Sequence, residues 1–257
     1  MYRSKHKVAF AAMLALALAL QGCVSNAGWN YTPNPPQLAP MQVPVNLAVE
    51  QFQDQRGKEN STYRWLCLIP LVPYCEANYD RPDTANGFLT ASSYNFRAGA
   101  DLADATATEL RQTNLFPHVS VISVGADPGQ QLLLRGAVMN TEWHGTVYSY
   151  MLGPYGGLLW IFGLPVGAVH NTLKLKLELV DPASGRVLWS DDVNQDYAKT
   201  VGYYYNFGQD FGYPQMFSDG IRSAVASLET YVSSQPPGMW LQLEHSPRAI
   251  GAPASRE

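Results

Sequence analysis

Leu173-Lys-Leu-Lys-Leu-Glu-Leu179 alternates strictly between leucine and a charged side chain. Successive side chains of a strand point to opposite faces, so one face carries four leucines and the other Lys174, Lys176 and Glu178. A strand of this kind has one wet face and one face that must be covered. Asp181-Pro-Ala-Ser-Gly185 supplies a turn, and Arg186 to Val193 returns as the partner strand of a hairpin. The cover for the leucine face has to come from elsewhere in the chain.

Two helical stretches supply it. Phe96, Ala100, Ala103, Ala107 and Leu110 recur at helical spacing and form one apolar stripe, with Pro117 beyond it barring continuation. Ser218 reads as an N-cap for a second helix carrying Ile221, Val225, Leu228 and Val232 on one face. Before the first helix, Val45 to Phe52 reads as a strand, with Val45, Leu47 and Val49 on one parity, closed by Asp54-Gln55-Arg56-Gly57. After it come Val119 to Val124 and, past the turn Asp127-Pro128-Gly129, a strand over Gln131 to Trp143. Strand, helix and strand in this order predict a right-handed crossover between parallel neighbours. The order predicts an α/β domain over residues 45–235: a mixed β-sheet with two main helices packed on one face. Residues 58–95 read as an insertion, with Asn78 to Asn86 as loop, and residues 144–171 as an apolar hairpin insertion.

At the N-terminus, Arg3, Lys5 and Lys7 precede thirteen apolar residues, Val8 to Leu20. This is a signal-peptide pattern, and thirteen helical residues reach only about 20 Å, short of a bilayer's hydrocarbon thickness. Leu20-Gln21-Gly22-Cys23 resembles the bacterial lipobox. That resemblance implies removal of residues 1–22 as a lipoprotein signal peptide and acylation of Cys23, at the sulfur by diacylglycerol and at the new amino group by a fatty acid such as palmitate. In the resembled Gram-negative lipoproteins an Asp after the cysteine favours the inner membrane. Val24 stands there instead, so the implied location is the outer membrane, lipid-anchored and facing the periplasm. Residues 23–44 hold five prolines after Val24 and no charge, and read as a stiff tether. Residues 236–257, opening with Pro236-Pro237-Gly238, read as a flexible tail.

Loss of residues 1–22 leaves 14 Lys and Arg against 21 Asp and Glu, a formal charge of −7. No basic cluster survives, which argues against nucleic acid as a partner. A hydrophobic content of 46% excludes global disorder. With Cys23 acylated, Cys67 and Cys75 remain as an even pair, either a disulfide closing a short loop or two buried thiols in an apolar strand. No His lies near enough to suggest a metal.

Between Glu142 and Lys174 the chain has no Asp, Glu, Lys or Arg. Val147 to Val169 is long enough to cross a bilayer, but Gly153, Pro154, Gly156, Gly157, Gly163, Pro165 and Gly167 interrupt it too often for a stable helix. Three further readings stay open: core packed on the sheet, a contact surface for a copy of the chain or an envelope partner, or a loop at the lipid boundary. Each buries Leu158, Leu159, Trp160, Ile161, Phe162 and Leu164. Trp65 to Cys75 and Tyr203-Tyr-Tyr-Asn-Phe207 share the ambiguity, because Tyr and Trp suit interfaces and half-exposed sheets alike.

Catalytic signatures are absent. His118, His144, His170 and His245 sit in no metal-ligand spacing, and there is no H-E-x-x-H, G-x-S-x-G, P-loop or G-x-G-x-x-G. Asp191 and Asp192 are strand neighbours on opposite faces, unable to converge as acid and base. His144 and His170 flank the apolar segment and meet if it is a hairpin. The expectation is a non-enzyme with no cofactor and no metal.

The lipobox, the proline-rich segment, Val45-Asn-Leu-Ala-Val-Glu-Gln-Phe-Gln-Asp-Gln-Arg-Gly57, the helix near Asp101 to Leu110 and Asp181-Pro-Ala-Ser-Gly-Arg-Val-Leu-Trp-Ser190 together resemble periplasmic lipoproteins. The family is the curli-secretion-channel and TolB N-terminal-like superfamily, and the similarity spans about residues 45–233. Its members include secretion channels, exopolysaccharide-export collars and activators of cell-wall synthases. The resemblance implies an outer-membrane lipoprotein acting as a tethered binding or assembly module, self-associating or supporting an envelope complex. The apolar segments lack the alternation of membrane-spanning β-hairpins, so pore formation does not carry over. A membrane-inserting or pore-complex subunit and an envelope hydrolase are the alternative expectations.

Overall fold

The leucine-rich strand and its partner form the longest pairing in the protein, running from Gly167 opposite Val201 to Asp181 opposite Arg186. The computed structural model describes residues 27–84, 94–129, 131–236 and 238–240. In chain order the strands and helices are β1 Ala27–Gly28, β2 Leu47–Glu50, β3 Gln53–Asp54, β4 Asn60–Thr62, β5 Tyr74–Tyr79, β6 Tyr94–Asn95, α1 Ala98–Thr113, β7 Val119–Ile122, β8 Leu132–Asn140, β9 Trp143–Tyr148, α2 Gly157–Ile161, β10 Gly167–Asp181, β11 Arg186–Val201 and α3 Tyr213–Ser234. The result is a mixed α/β sheet with α1 and α3 on one face.

Alternation along β10 does what the sequence predicts. Leu173, Leu175, Leu177 and Leu179 are buried in the main core with Ile221 and Leu228 of α3 and Leu102 and Leu110 of α1. Burial of each leucine contributes roughly 2 kcal/mol. Lys174 and Lys176 lie on the open face. The strands flanking α1 are parallel neighbours as predicted, β2 pairing in parallel with both β7 and β8. Asp181 organises the hairpin turn: its carboxylate accepts from Ala183 N at 3.0 Å and from Ser184 Oγ at 2.5 Å. Gly185 closes the turn at φ 70°, a conformation glycine adopts without steric cost.

The strand expected over 131–143 is instead two strands, β8 and β9, lying end to end along the same edge of β10. The break falls at Thr141 and Glu142. Tyr213 of α3 donates to the carbonyls of both residues, at 2.8 and 3.1 Å, and Glu142 O also accepts from Thr172 N of β10 at 2.9 Å. Arg56, in the expected turn, reaches the same place: its Nη1 donates to Thr141 Oγ at 3.0 Å, and its Nε and Nη2 each bind Asp54 at 2.9 Å. Those hydrogen bonds hold the Asp54 carboxyl below the ordinary carboxylate range.

The break also forks the sheet. Beyond β8 lie β2 and β7; beyond β9 lie β5 and β4. The segment read as an insertion therefore contributes two strands, β4 and β5, to the sheet, and Asn78, expected in a loop, pairs with His144 inside a strand. We call the end of the molecule to which β2, β8 and β9 run, and from which β10 departs, the apical end.

Three further expectations are corrected. The proline-rich segment is docked from Ala27 onward. Ala39 N and Val43 N donate to Thr113 and Leu115 at the basal end of α1, and Trp29 N donates to Asn95 just before its apical end. Between them Glu109 accepts from Asn34 N at 2.8 Å and from Tyr31 OH, while Arg222 of α3 binds Asn34 Oδ1. Trp29 stacks on Phe96 with ring centroids 5.2 Å apart. Extended chain with polar handles meets buried partners here, so the segment is a strap and not a free tether. Second, Ser218 does not cap α3, which begins five residues earlier with Gly212 as N-cap and Pro214 in its first turn; Ser218 Oγ donates to Asn34. Third, the tail opens with Gly238–Trp240 in helical form, and Trp240 is fully buried in the core. Cys23 and residues 1–22, like residues 241–257, lie outside the described residues.

Candidate functional site

Large apolar side chains are exposed mainly at the apical end. Apart from Leu38, Val124, Met139 and Val187, every exposed large hydrophobic residue described belongs to one of three segments: 63–74, 151–164 and 203–207. The first joins β4 to β5, the second β9 to β10, and the third β11 to α3. Residues 65–74, 149–165 and 202–207 contain no charged side chain.

Backbone hydrogen bonds assemble the three into one surface. Ser149 N and Tyr150 N both donate to Pro73 O, at 2.9 and 3.0 Å, and Leu71 N donates to Met151 O at 2.8 Å. Gly156 packs against the backbone of Ser149 so tightly that a Cβ there would lie 2.2 Å from its carbonyl oxygen. Tyr204 OH donates to Ile161 O at 2.8 Å, and the Trp160 and Tyr203 rings lie 6.3 Å apart. A disulfide between Cys67 and Cys75, with Cα atoms 5.3 Å apart, pins the first segment to β5.

The apolar hairpin of the sequence is thus an antiparallel β9–β10 pair carrying a protruding cap of 3₁₀ turn and α2. Core is the reading the structure removes. Phe162 is 81% exposed, Leu158 and Ile161 are more than half exposed, Leu164 is exposed, and Leu159 and Trp160 are half-buried. Among the described residues no helix is long and apolar enough to cross a membrane. Among the described residues nothing covers Leu158, Ile161 and Phe162. Contiguous apolar surface beyond a few hundred Å² is unusual on a solitary protein and marks contact sites.

Backbone strain concentrates in the same place. Apart from Asn114, which ends α1, the described non-glycine residues with positive φ are Leu71, Tyr150, Met151 and Asn206, all in the three apical segments. For bulky residues this conformation costs on the order of 1 kcal/mol or more each, and it persists where the surroundings impose it. Such strain cannot be read from sequence.

Of the candidate catalytic groups the two histidines come together and the two aspartates stay apart from them. His144 faces His170 across β9 and β10, as a hairpin requires, and His170 Nε2 lies 3.5 Å from Asp196 Oδ1. Asp191 and Asp192 pair with Leu177 and Lys176, six or more residues farther along β10, about 20 Å away at strand rise. Among the described residues no three of His, Cys, Asp and Glu are arranged to hold a metal ion.

No family model and no curated protein matches the chain. Solved structures resemble it weakly. A Xanthomonas campestris protein of the DUF330 family is 13% identical, with a TM-score of 0.42 over 81% of this chain and 97% of that one. The PelC dodecamer subunit from Paraburkholderia phytofirmans is 16% identical, with a TM-score of 0.35 over 76% and 94%. A neuraminyllactose-binding hemagglutinin homolog from Helicobacter pylori is 10% identical, with a TM-score of 0.37 over 83% and 98%.

Proposed function

We propose that the protein is a non-enzymatic lipoprotein of the outer membrane, anchored through Cys23, facing the periplasm and acting by binding, with the apical surface as its contact site. The observation that carries this reading is the convergence of three uncharged segments, distant in sequence, on one exposed apolar end. A membrane-held domain meets its partners at a high effective concentration, so a modest contact suffices for an assembly role. The Cys67–Cys75 disulfide suits an oxidising compartment such as the periplasm.

Two measurements test it. The intact mass of the native protein is expected to show residue 23 as its acylated N-terminus; a free thiol there, or an uncut leader, overturns the anchoring. Crosslinking in intact cells from the apical surface is expected to capture an envelope component, bilayer lipid included, and Trp160→Ser with Phe162→Ser to abolish that capture while the fold survives. Capture unaffected by both substitutions overturns the assignment of the site.

A further inference from the structure

We infer that the apical surface rests on the bilayer itself, its apolar cap entering the boundary between headgroups and acyl chains of neutral phospholipid. This rests on the acylation of Cys23 proposed above and names what the contact site meets.

The strap supplies the geometry. It runs beside α1 from the basal end towards the apical end, where Ala27 pairs with Tyr94. The Tyr94 ring stacks on Phe211 at 4.4 Å, and Phe211 lies 6.0 Å from Trp143. These ring contacts tie the start of the strap to the neighbourhood of Trp143, which lies five residues or about 17 Å along β9 from Tyr148. Only three residues separate Ala27 from Cys23, four chain steps with a reach of at most about 14 Å. An acyl anchor on so short a link cannot let the domain hang free; fully extended, it brings the membrane surface close to the base of the cap.

Chemistry at the cap agrees. A segment entering hydrocarbon must satisfy its own backbone polar groups. Phe162 N and Leu164 N donate to Leu159 O, Gly163 N to Trp160 O, Leu152 N to Ser149 O and Tyr155 N to Leu152 O. Two polar atoms of its aromatic residues also turn inward: Trp160 Nε1 donates to Tyr148 O at 3.0 Å and Tyr150 OH to Pro165 O at 2.7 Å. Outward go hydrocarbon and ring edges, with Trp65, Tyr155 and Tyr204 among them, residue types suited to the lipid–water boundary. Residues 65–74, 149–165 and 202–207 hold no Lys or Arg, so the contact they offer lipid is apolar.

The test uses the mature chain from position 23 with Cys23→Ser, mixed with phosphatidylcholine vesicles whose acyl chains are brominated. Expected are co-sedimentation, quenching of tryptophan emission that Trp65→Phe reduces, and partitioning unchanged between about 50 and 500 mM salt. Ile161→Ser with Phe162→Ser is expected to lower partitioning at least about tenfold, with an unchanged melting temperature showing the fold intact. The acylated protein in the same vesicles is expected to show the quenching more strongly. Absence of quenching in both forms overturns the inference, and self-association lost on the same double substitution without vesicle binding assigns the surface to a second copy. Failure of the anchoring reads out separately, in the mass of residue 23.

Discussion

Residues 29–44 and 149–165 are near equals in composition and opposites in fate. Neither contains a charged side chain, both are interrupted by proline, and both carry Trp and Tyr. The first lies along the helical layer with Trp29 and Tyr31 packed against the core; the second stands out from the sheet with Phe162 largely exposed. The difference lies in where the polar handles go. Tyr31 and Asn34 find Glu109 and Arg222 on two helices, whereas the polar groups of 149–165 bond within the apical segments and leave its apolar groups facing out. Composition marks a segment as unsuited to remain in water, and the partners available decide what covers it.

Substitutions can break this contrast, beginning with the strap. Trp29→Ala removes a ring system stacked on Phe96 and edge-on to Phe217 and should lower unfolding free energy by about 3 kcal/mol in urea titration; a loss under 1 kcal/mol would mean that the strap is only loosely docked. Opening the disulfide with Cys67→Ser and Cys75→Ser should cost about 2.5 kcal/mol, with faster amide exchange in residues 64–74 than in the strap. Glu109→Ala leaves Tyr31 OH and Asn34 N without their shared acceptor and should cost about 2 kcal/mol. Burial, and then the hydrogen bond to Glu109, raises the Tyr31 pKa above its ordinary value of 10.0. A raised pKa stabilises the fold fully below that ordinary value and loses the contribution as pH rises through the folded one, so strap docking should weaken above about pH 10 in wild type and not in Tyr31→Phe. Smallest is Phe162→Ser, which should leave stability within about 0.5 kcal/mol because the ring is already in water; a loss of several kcal/mol would return the cap to the core.

Legibility followed local periodicity. The β10–β11 hairpin and the buried faces of both helices were readable because alternation and helical spacing are written within short windows. The strap was not, since it has no period: its docking depends on Glu109 and Arg222, 75 or more residues away. The start of α3 was missed although Pro214 marks it, because Ser218 offered a familiar cap inside the helix. At the contact site, each of the three apolar segments was visible alone. Their union was not, because it depends on β5 pairing with β9 across some seventy residues and on backbone bonds that leave no trace in composition.

The break at Thr141 and Glu142 has a mechanical consequence. One edge of β10 is shared by two strands, while its other edge is zipped to β11 along almost its whole length. Tension applied at the cap and resisted by the helical layer would pull β10 lengthwise past β11, loading many rungs at once. The β4–β5 flank, paired with the rest of the sheet through β9, would instead peel rung by rung.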